Sequence, residues 1–294
     1  MYLPVVSVVI ITYNSSNTII ETLESIKSQT YNNIELVISD DNSSDNTLSV
    51  CYEWIENNKT RFVSTVIVSS SSNTGVACNL NRGIEKANGE WIKSMAGDDL
   101  LKENAIMEFV QFVHENSECR ICTSTLELFG GKKKDMEKAE SELNKKYSVI
   151  RNGNREQQYN TSLIRQILPG TGIFYQKSLW EDIGGFDERF PMAEEYPFEI
   201  KVLEITKVYL LDKKLFMWRQ RNDSLSHMIN SPSEIQLIDF YWNVRRKLLI
   251  NNHSYLRVFD LDLINLQLKN NKWYFKVIRI LSPYTIFRLF SRFF

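Results

Sequence analysis

No apolar run reaches the roughly 18 residues that a bilayer-spanning helix needs, so no segment of this chain is expected to cross a membrane. Histidine is scarce, three in 294 residues, and the four cysteines (Cys51, Cys78, Cys119 and Cys122) form no pairing framework. That usage suits a reducing compartment. Cys119 and Cys122 make a lone C-x-x-C at the head of a strand-like run, Arg120 to Leu128. Without a second pair they read as core cysteines, with a zinc or redox role as the alternative. Net charge is also nearly absent, formally -1, so no global field argues for nucleic acid. The apolar stretch Val5 to Ile11 has no basic lead and no small-residue cleavage site after it. It reads as a strand and not as a secretion signal, and the folded part is expected to be cytoplasmic. Internal repeats and low-complexity tracts are missing too.

What is present is a regular alternation over the first hundred residues. Val5 to Thr12 is a β-branched run of the kind found in strands covered on both faces. A turn follows at Asn14 to Asn17, where Ser16 or Asn17 can cap a helix, and Ile19, Leu23 and Ile26 recur at helical spacing. Ile34 to Ser39, Phe62 to Val68 and Glu90 to Met95 read as further strands, with helices through Leu48, Tyr52 and Ile55 and from Gly75 to Ala87. This is the pattern of a doubly wound parallel sheet, in which ligands bind beyond the carboxyl ends of the strands. Polar residues gather at three such ends: Tyr13-Asn14, Asp40-Asp41 and Asp98-Asp99. After Gly130, the Lys132 to Lys146 stretch, dense in lysine and glutamate, reads as a solvated helix passing over the site. A short strand is expected within Pro169 to Gln176 and a helix near Glu194 to Glu204.

Adjacent carboxylates repel, and burying them unpaired is costly. Asp98-Asp99 after a buried strand therefore suits a bound Mg²⁺ or Mn²⁺ completed by phosphate oxygens; a solvated turn is the alternative. Asp41, beyond another strand of the same crevice, can accept the imide N–H of uracil, or simply belong to an Asn/Ser-rich turn.

Five segments in order then carry a resemblance. They are Val6-Ser7-Val8-Val9-Ile10-Ile11-Thr12-Tyr13-Asn14, Glu35 to Asp45, and Asn73-Thr74-Gly75 with Asn81-Arg82-Gly83. Gly89-Glu90-Trp91-Ile92 through Asp98-Asp99 follows, and then Gly184-Gly185-Phe186-Asp187-Glu188 with Glu194-Glu195. Together they resemble family 2 glycosyltransferases of the GT-A fold. The resemblance implies an α/β, Rossmann-like mixed sheet and an inverting transferase that uses a sugar-nucleotide, with UDP as the expected carrier. It implies nucleotide-sugar contacts from Thr12, Tyr13, Asn14, Asp41, Asn73 and Asp98, a metal (Mn²⁺ or Mg²⁺) on Asp99, and Arg219 near the diphosphate, an ion pair on the surface being the alternative for Arg219. The catalytic base would come from Glu195, with Glu194 next.

The chain departs from the usual pattern in several places. Glu195 stands where Asp is usual, Ala96 where another Asp is common, Leu80 where Arg is common (Arg82 follows two residues on), and Arg221 where His is common. Lys201 is basic where the family often has Arg, and it could pair with an acid on its own helix.

The expected organisation is one domain over 1–230, with a nucleotide half (1–100) and an acceptor half (101–230), and a helical extension over 231–294. From Leu263 to Phe294 no acidic residue occurs, and Lys269, Lys272, Lys276, Arg279, Arg288 and Arg292 alternate with aromatics. Such a helix suits the anionic inner face of a cell membrane; a packing helix or dimer contact is the alternative. The expected acceptor is a glycan, free or on a polyprenyl diphosphate, in O-antigen or capsule assembly, receiving a hexosyl or N-acetylhexosaminyl unit. Two other functions fit less well. A sugar-nucleotide nucleotidyltransferase would want glycine and a basic residue in the loop Tyr13-Asn14-Ser15-Ser16, and a non-catalytic nucleotide-sugar-binding module would lack a working base.

Overall fold

The computed structural model describes residues 3–163, 165–191 and 194–220. The expected extension over 231–294, with its membrane reading, and Arg221 lie outside them.

β1 (Val6–Thr12), β2 (Ile34–Asp40), β3 (Ser64–Ser69) and β4 (Trp91–Ala96) are the four expected strands. β1 pairs in parallel with both β2 and β4, and β2 with β3. The apolar run of β1 is continuous because both of its faces are covered. Val6, Val8 and Ile10 face α1 (Ile19–Lys27) and α2 (Thr47–Asn58), while Val9 faces α3 (Val76–Lys86). Gly83 lets α3 approach that closely, since a Cβ there would lie 2.6 Å from Val9 Cγ1 and 3.1 Å from Ser39 Cβ.

The second half extends the same sheet. β5 (Leu100–Leu101), β6 (Ile121–Phe129), β7 (Ile173–Gln176) and β8 (Tyr209–Arg219) complete the order β3-β2-β1-β4-β7-β6-β8-β5. β7 runs antiparallel to β4 and β6, β5 runs antiparallel to β8, and β6 and β8 are parallel, so the sheet is mixed. β8 was not anticipated. Its Asp212-Lys213-Lys214 centre breaks the apolar alternation that marks a strand, and its register with β6 shifts at the same place.

α4 (Ala105–Glu115), α6 (Arg155–Ser162) and α7 (Lys177–Asp182) join α5 (Lys133–Asn152) and α8 (Glu195–Ile205). α5 is longer than the charged stretch that announced it, and it is not merely solvated. Leu143, Tyr147 and Ile150 are buried, and the Leu126 N–H donates to the Tyr147 hydroxyl (3.1 Å).

Two further expectations give way. Neither Ser16 nor Asn17 caps α1; Thr18 holds that position and spends its hydroxyl elsewhere. Lys201 pairs with no acid of its own helix; its Nζ donates to the carbonyl of Gly185 (3.4 Å). Cys119 and Cys122 are buried free thiols, and among the described residues no group of three or more His, Cys, Asp or Glu is placed to hold a metal.

Candidate active site at the carboxyl ends of the central strands

Parallel pairing fixes where the polar segments meet. Thr12 stands opposite Asp40, and Ile11 opposite Ala96. The Asp41 N–H donates to the Thr12 carbonyl (2.9 Å), and the Gly97 N–H to the Ile11 carbonyl (3.0 Å). The Asp41 and Asp98-Asp99 loops therefore leave the sheet on either side of β1, about 10 Å apart by strand spacing.

The first two loops are stitched together. Asp40 is fully buried and accepts from the Thr12 hydroxyl (2.7 Å), the Ser43 hydroxyl (2.6 Å) and the Ser43 N–H (2.8 Å). Asn14 and Asn42 adopt positive φ, 50° and 65°, a conformation asparagine tolerates. The Asn14 N–H donates to the Ser43 hydroxyl, and its side-chain oxygen accepts from the Ser44 N–H, both at 2.8 Å. The side chains of Thr12 and Asn14 thus bind the loops to one another, whereas Tyr13 stands 50% exposed on the rim.

Asp41 is buried and fully engaged. One oxygen accepts from the Thr74 hydroxyl (2.6 Å) and Arg82 Nη2 (3.2 Å), the other from the N–H groups of Thr74 (2.9 Å) and Gly75 (2.7 Å). Those donors fill the roughly four acceptor positions of a carboxylate, and the Arg82 bond is the longest. Arg82 thus sits on the carboxylate expected to bind uracil. Asn73 is exposed, and its side chain accepts from the Gly75 N–H (3.2 Å).

The Gly97-Asp98-Asp99 turn is pinned at every carbonyl. Thr18 donates to that of Gly97 and Thr22 to that of Asp99, each at 2.9 Å, and Arg219 Nε donates to that of Asp98 (2.7 Å). Arg219 closes β8 there. Its N–H donates to the Asp99 carboxylate (2.9 Å), its Nη2 pairs with Glu21 (2.5 Å), and its guanidinium lies 4.5 Å from the Phe129 ring centre. The metal candidate and the diphosphate candidate are thereby neighbours. Asp99 is 1% exposed, and burial, with the charge of Asp98 beside it, pushes its carboxyl well above the usual range. Asp98 is half-buried.

Pro191, ahead of the acidic pair, packs against the start of α3, next to the Asp41 loop. The Ala77 N–H donates to the Pro191 carbonyl (3.2 Å), and Gly75 leaves no room for a side chain against Pro191. Pro191 lies three residues ahead of Glu194. Burial, with the charge of Glu195 next to it, pushes the Glu194 carboxyl up to about 8. Glu195 is half-buried and accepts from Gln166 Nε2 (2.9 Å). Pro197 fits in the first turn of α8, where no intrahelical N–H is required.

The Asn81 to Gly83 and Gly184 to Glu188 segments prove to be partners. The Asn81 side chain donates to the Phe186 carbonyl and accepts its N–H, both at 2.9 Å, and also donates to Glu188 (2.9 Å). Gly184 and Gly185, at φ 70° and 69°, form the turn that this pairing fixes. Sequence reasoning missed Thr18, Thr22, Gln166, Gly170 and Glu199 around the site. The only advance signal was spacing: Thr18 and Thr22, and Glu195 and Glu199, stand four apart on their helices.

The glycosyl transferase family 2 model matches residues 7–184. Over 234 residues the chain is 25% identical to an uncharacterized glycosyltransferase of Rickettsia felis, covering 80% of this chain and 37% of that protein. It thus spans only about a third of the length of the first curated relatives it matches. Over 295 residues it is 26% identical to a poly-β-1,6-N-acetyl-D-glucosamine synthase of Staphylococcus epidermidis, covering 94% and 64%. In fold it is similar to S. aureus TarS 1–349 in complex with UDP-GlcNAc, with a TM-score of 0.64 and 20% identity, covering 82% of this chain and 66% of that one.

Proposed function

The chain belongs to glycosyl transferase family 2, and from that premise we propose that it transfers a sugar from a UDP-sugar to a glycan hydroxyl with inversion at the anomeric carbon. One observation carries this reading. Asp41 and Asp98-Asp99 flank the end of β1, and Pro191, three residues ahead of Glu194, rests on Gly75, whose N–H is bonded to Asp41. An N-acetylhexosaminyl donor is favoured by the UDP-GlcNAc bound to TarS and by the product named for the Staphylococcus epidermidis synthase. That synthase also favours a role in polysaccharide assembly. A lipid-linked acceptor and membrane contact through 231–294 rest on the basic, aromatic sequence alone.

The residues at the rim take distinct parts. Tyr13 offers an exposed ring for the base to stack on. Uracil exchanges with Arg82, the most distant donor on Asp41. The Asp98-Asp99 turn fits a divalent cation, Mn²⁺ or Mg²⁺. Its donors are hard oxygens, and on Asp99 burial and repulsion from Asp98 outweigh the favourable charges of Lys93 and Arg219. Such an ion, when bound, neutralises charge on the departing diphosphate. Arg219 adds a fixed positive charge at the same turn.

Glu194 is buried, and burial with the charge of Glu195 beside it raises its carboxyl, which disfavours the ionised form a base needs; the half-buried Glu195 is the better suited of the two. Glu195 takes the proton of the acceptor hydroxyl as its oxygen bonds to the anomeric carbon. The bond from that carbon to the phosphate oxygen breaks, and its electron pair leaves with UDP.

Glu195→Gln keeps the shape and removes the base. It is expected to bind UDP with unchanged affinity by calorimetry and to lose UDP-sugar turnover by a factor of about 10³. Wild-type turnover in that variant would move the base elsewhere.

A further inference from the structure

Glu195 does not stand alone on α8. Glu199 follows one turn later on the same face. Its fully buried carboxylate accepts from the N–H groups of Ile167 (3.0 and 3.1 Å to its two oxygens) and Leu168 (2.7 Å), and from the Ser162 hydroxyl. These bonds lock the backbone at 167–168 against the helix. From that locked segment Gln166 turns its side-chain amide to one oxygen of Glu195 (2.9 Å) and to the carbonyl of Leu168 (3.1 Å). Two residues beyond Leu168 lies Gly170. A Cβ built there would fall inside the carboxyl group of Glu195, against its other oxygen.

Gly170 does not owe its identity to its backbone. Its φ lies outside the left-handed region, unlike that of Gly172 at 82°, so an L side chain is conformationally allowed at 170. What excludes one is the carboxylate itself. That carboxylate is the far end of a flexible side chain, so an added methyl displaces it and leaves the fold in place.

We propose that Gln166 and Gly170 are positioning residues for the base. Gln166 fixes one oxygen of Glu195 by hydrogen bond, Gly170 provides the space the other occupies, and Glu199 holds the loop that carries both. The inference rests on Glu195 being the base. It goes beyond that assignment by making the position of its carboxylate depend on a loop remote in sequence.

The test uses the full chain with UDP-N-acetylglucosamine, following UDP release for kcat and KM, UDP affinity by calorimetry and melting temperature. Gly170→Ala is expected to lower kcat about a hundredfold, the effect of misplacing a catalytic group by about 1 Å, with KM, UDP affinity and melting temperature little changed. Gln166→Met keeps the volume without the donor and is expected to lower kcat about tenfold at unchanged KM. Glu195→Asp withdraws the carboxylate by one methylene, so adding Gly170→Ala to it is expected to cost nothing more, and that coupling is one a general structural role would not produce. If Glu195→Gln is inactive while both Gly170→Ala and Gln166→Met keep wild-type kcat, the positioning role is wrong and the base stands. If Glu195→Gln turns over normally, the base assignment fails and takes this inference with it. Should Gly170→Ala melt markedly lower, Gln166→Met decides: a fall in kcat supports the proposal, and unchanged kcat overturns it.

Discussion

Lys93 is a lysine in the middle of β4 with no exposed surface. Its Nζ donates to the Ser94 carbonyl (2.7 Å) and lies 4.5 Å from the Phe216 ring centre. Burial pulls its pKa from 10.5 down to about 7, against the opposing pull of Asp99. Between those two values the unfolded chain holds a proton that the folded chain has released, so stability from this group rises with pH over that window. Lys93→Met removes the charge and keeps the bulk. Urea melts should show it more stable than the parent at pH 7, by about 2 kcal/mol, and without this share of the rise toward pH 10. An equal rise in the variant would place the titration on another group. Asp41 teaches a different lesson at the same scale. The sequence offered it as a ligand-binding carboxylate or a turn residue, and the structure shows it organising the loop before α3 through Thr74 and Gly75.

At the level of elements, α1 does more than cover the sheet. Thr18 and Thr22 stand four apart on one face and hold the carbonyls on either side of Asp98. The turn that presents the acidic pair is therefore set by a helix nearly eighty residues upstream. Thr22→Val removes one of these donors and leaves a buried carbonyl without it, at a cost of about 1 kcal/mol. The expected result is a slightly lower melting temperature with a several-fold loss of cation-dependent UDP affinity, checked by calorimetry with and without Mn²⁺. Unchanged affinity would mean that Thr18 and Arg219 suffice to hold the turn. On α8 the same four-residue spacing joins Glu195 to Glu199. A helix that sequence could only place near Glu194 to Glu204 turns out to clamp the 166–170 loop.

For the molecule as a whole, donor binding should appear as stability. A ligand at a hundredfold excess over its Kd stabilises the folded state by about 2.7 kcal/mol. UDP with Mn²⁺ is expected to raise the melting temperature, with the gain lost on adding chelator and in Asp99→Ala. A chelator-insensitive shift of full size would argue that the nucleotide is held without a cation.

The sequence by itself determined the nucleotide half. Strand, helix and loop follow one another there with short connections, and parallel pairing then obliges the ends of β1, β2 and β4 to meet, so local pattern and global position coincide. It determined far less beyond residue 100, where β8 carries charges at its centre and pairs with β6 and β5 across long gaps in the chain. Only the tertiary structure decided that Arg219 closes on Asp98-Asp99, that Asn81 grips the turn at Gly184-Gly185, and that Gln166 and Gly170 embrace Glu195. The physical reason is that hydrophobic period is a local signal, whereas a hydrogen bond or a missing Cβ between distant segments leaves no trace until both segments are in place.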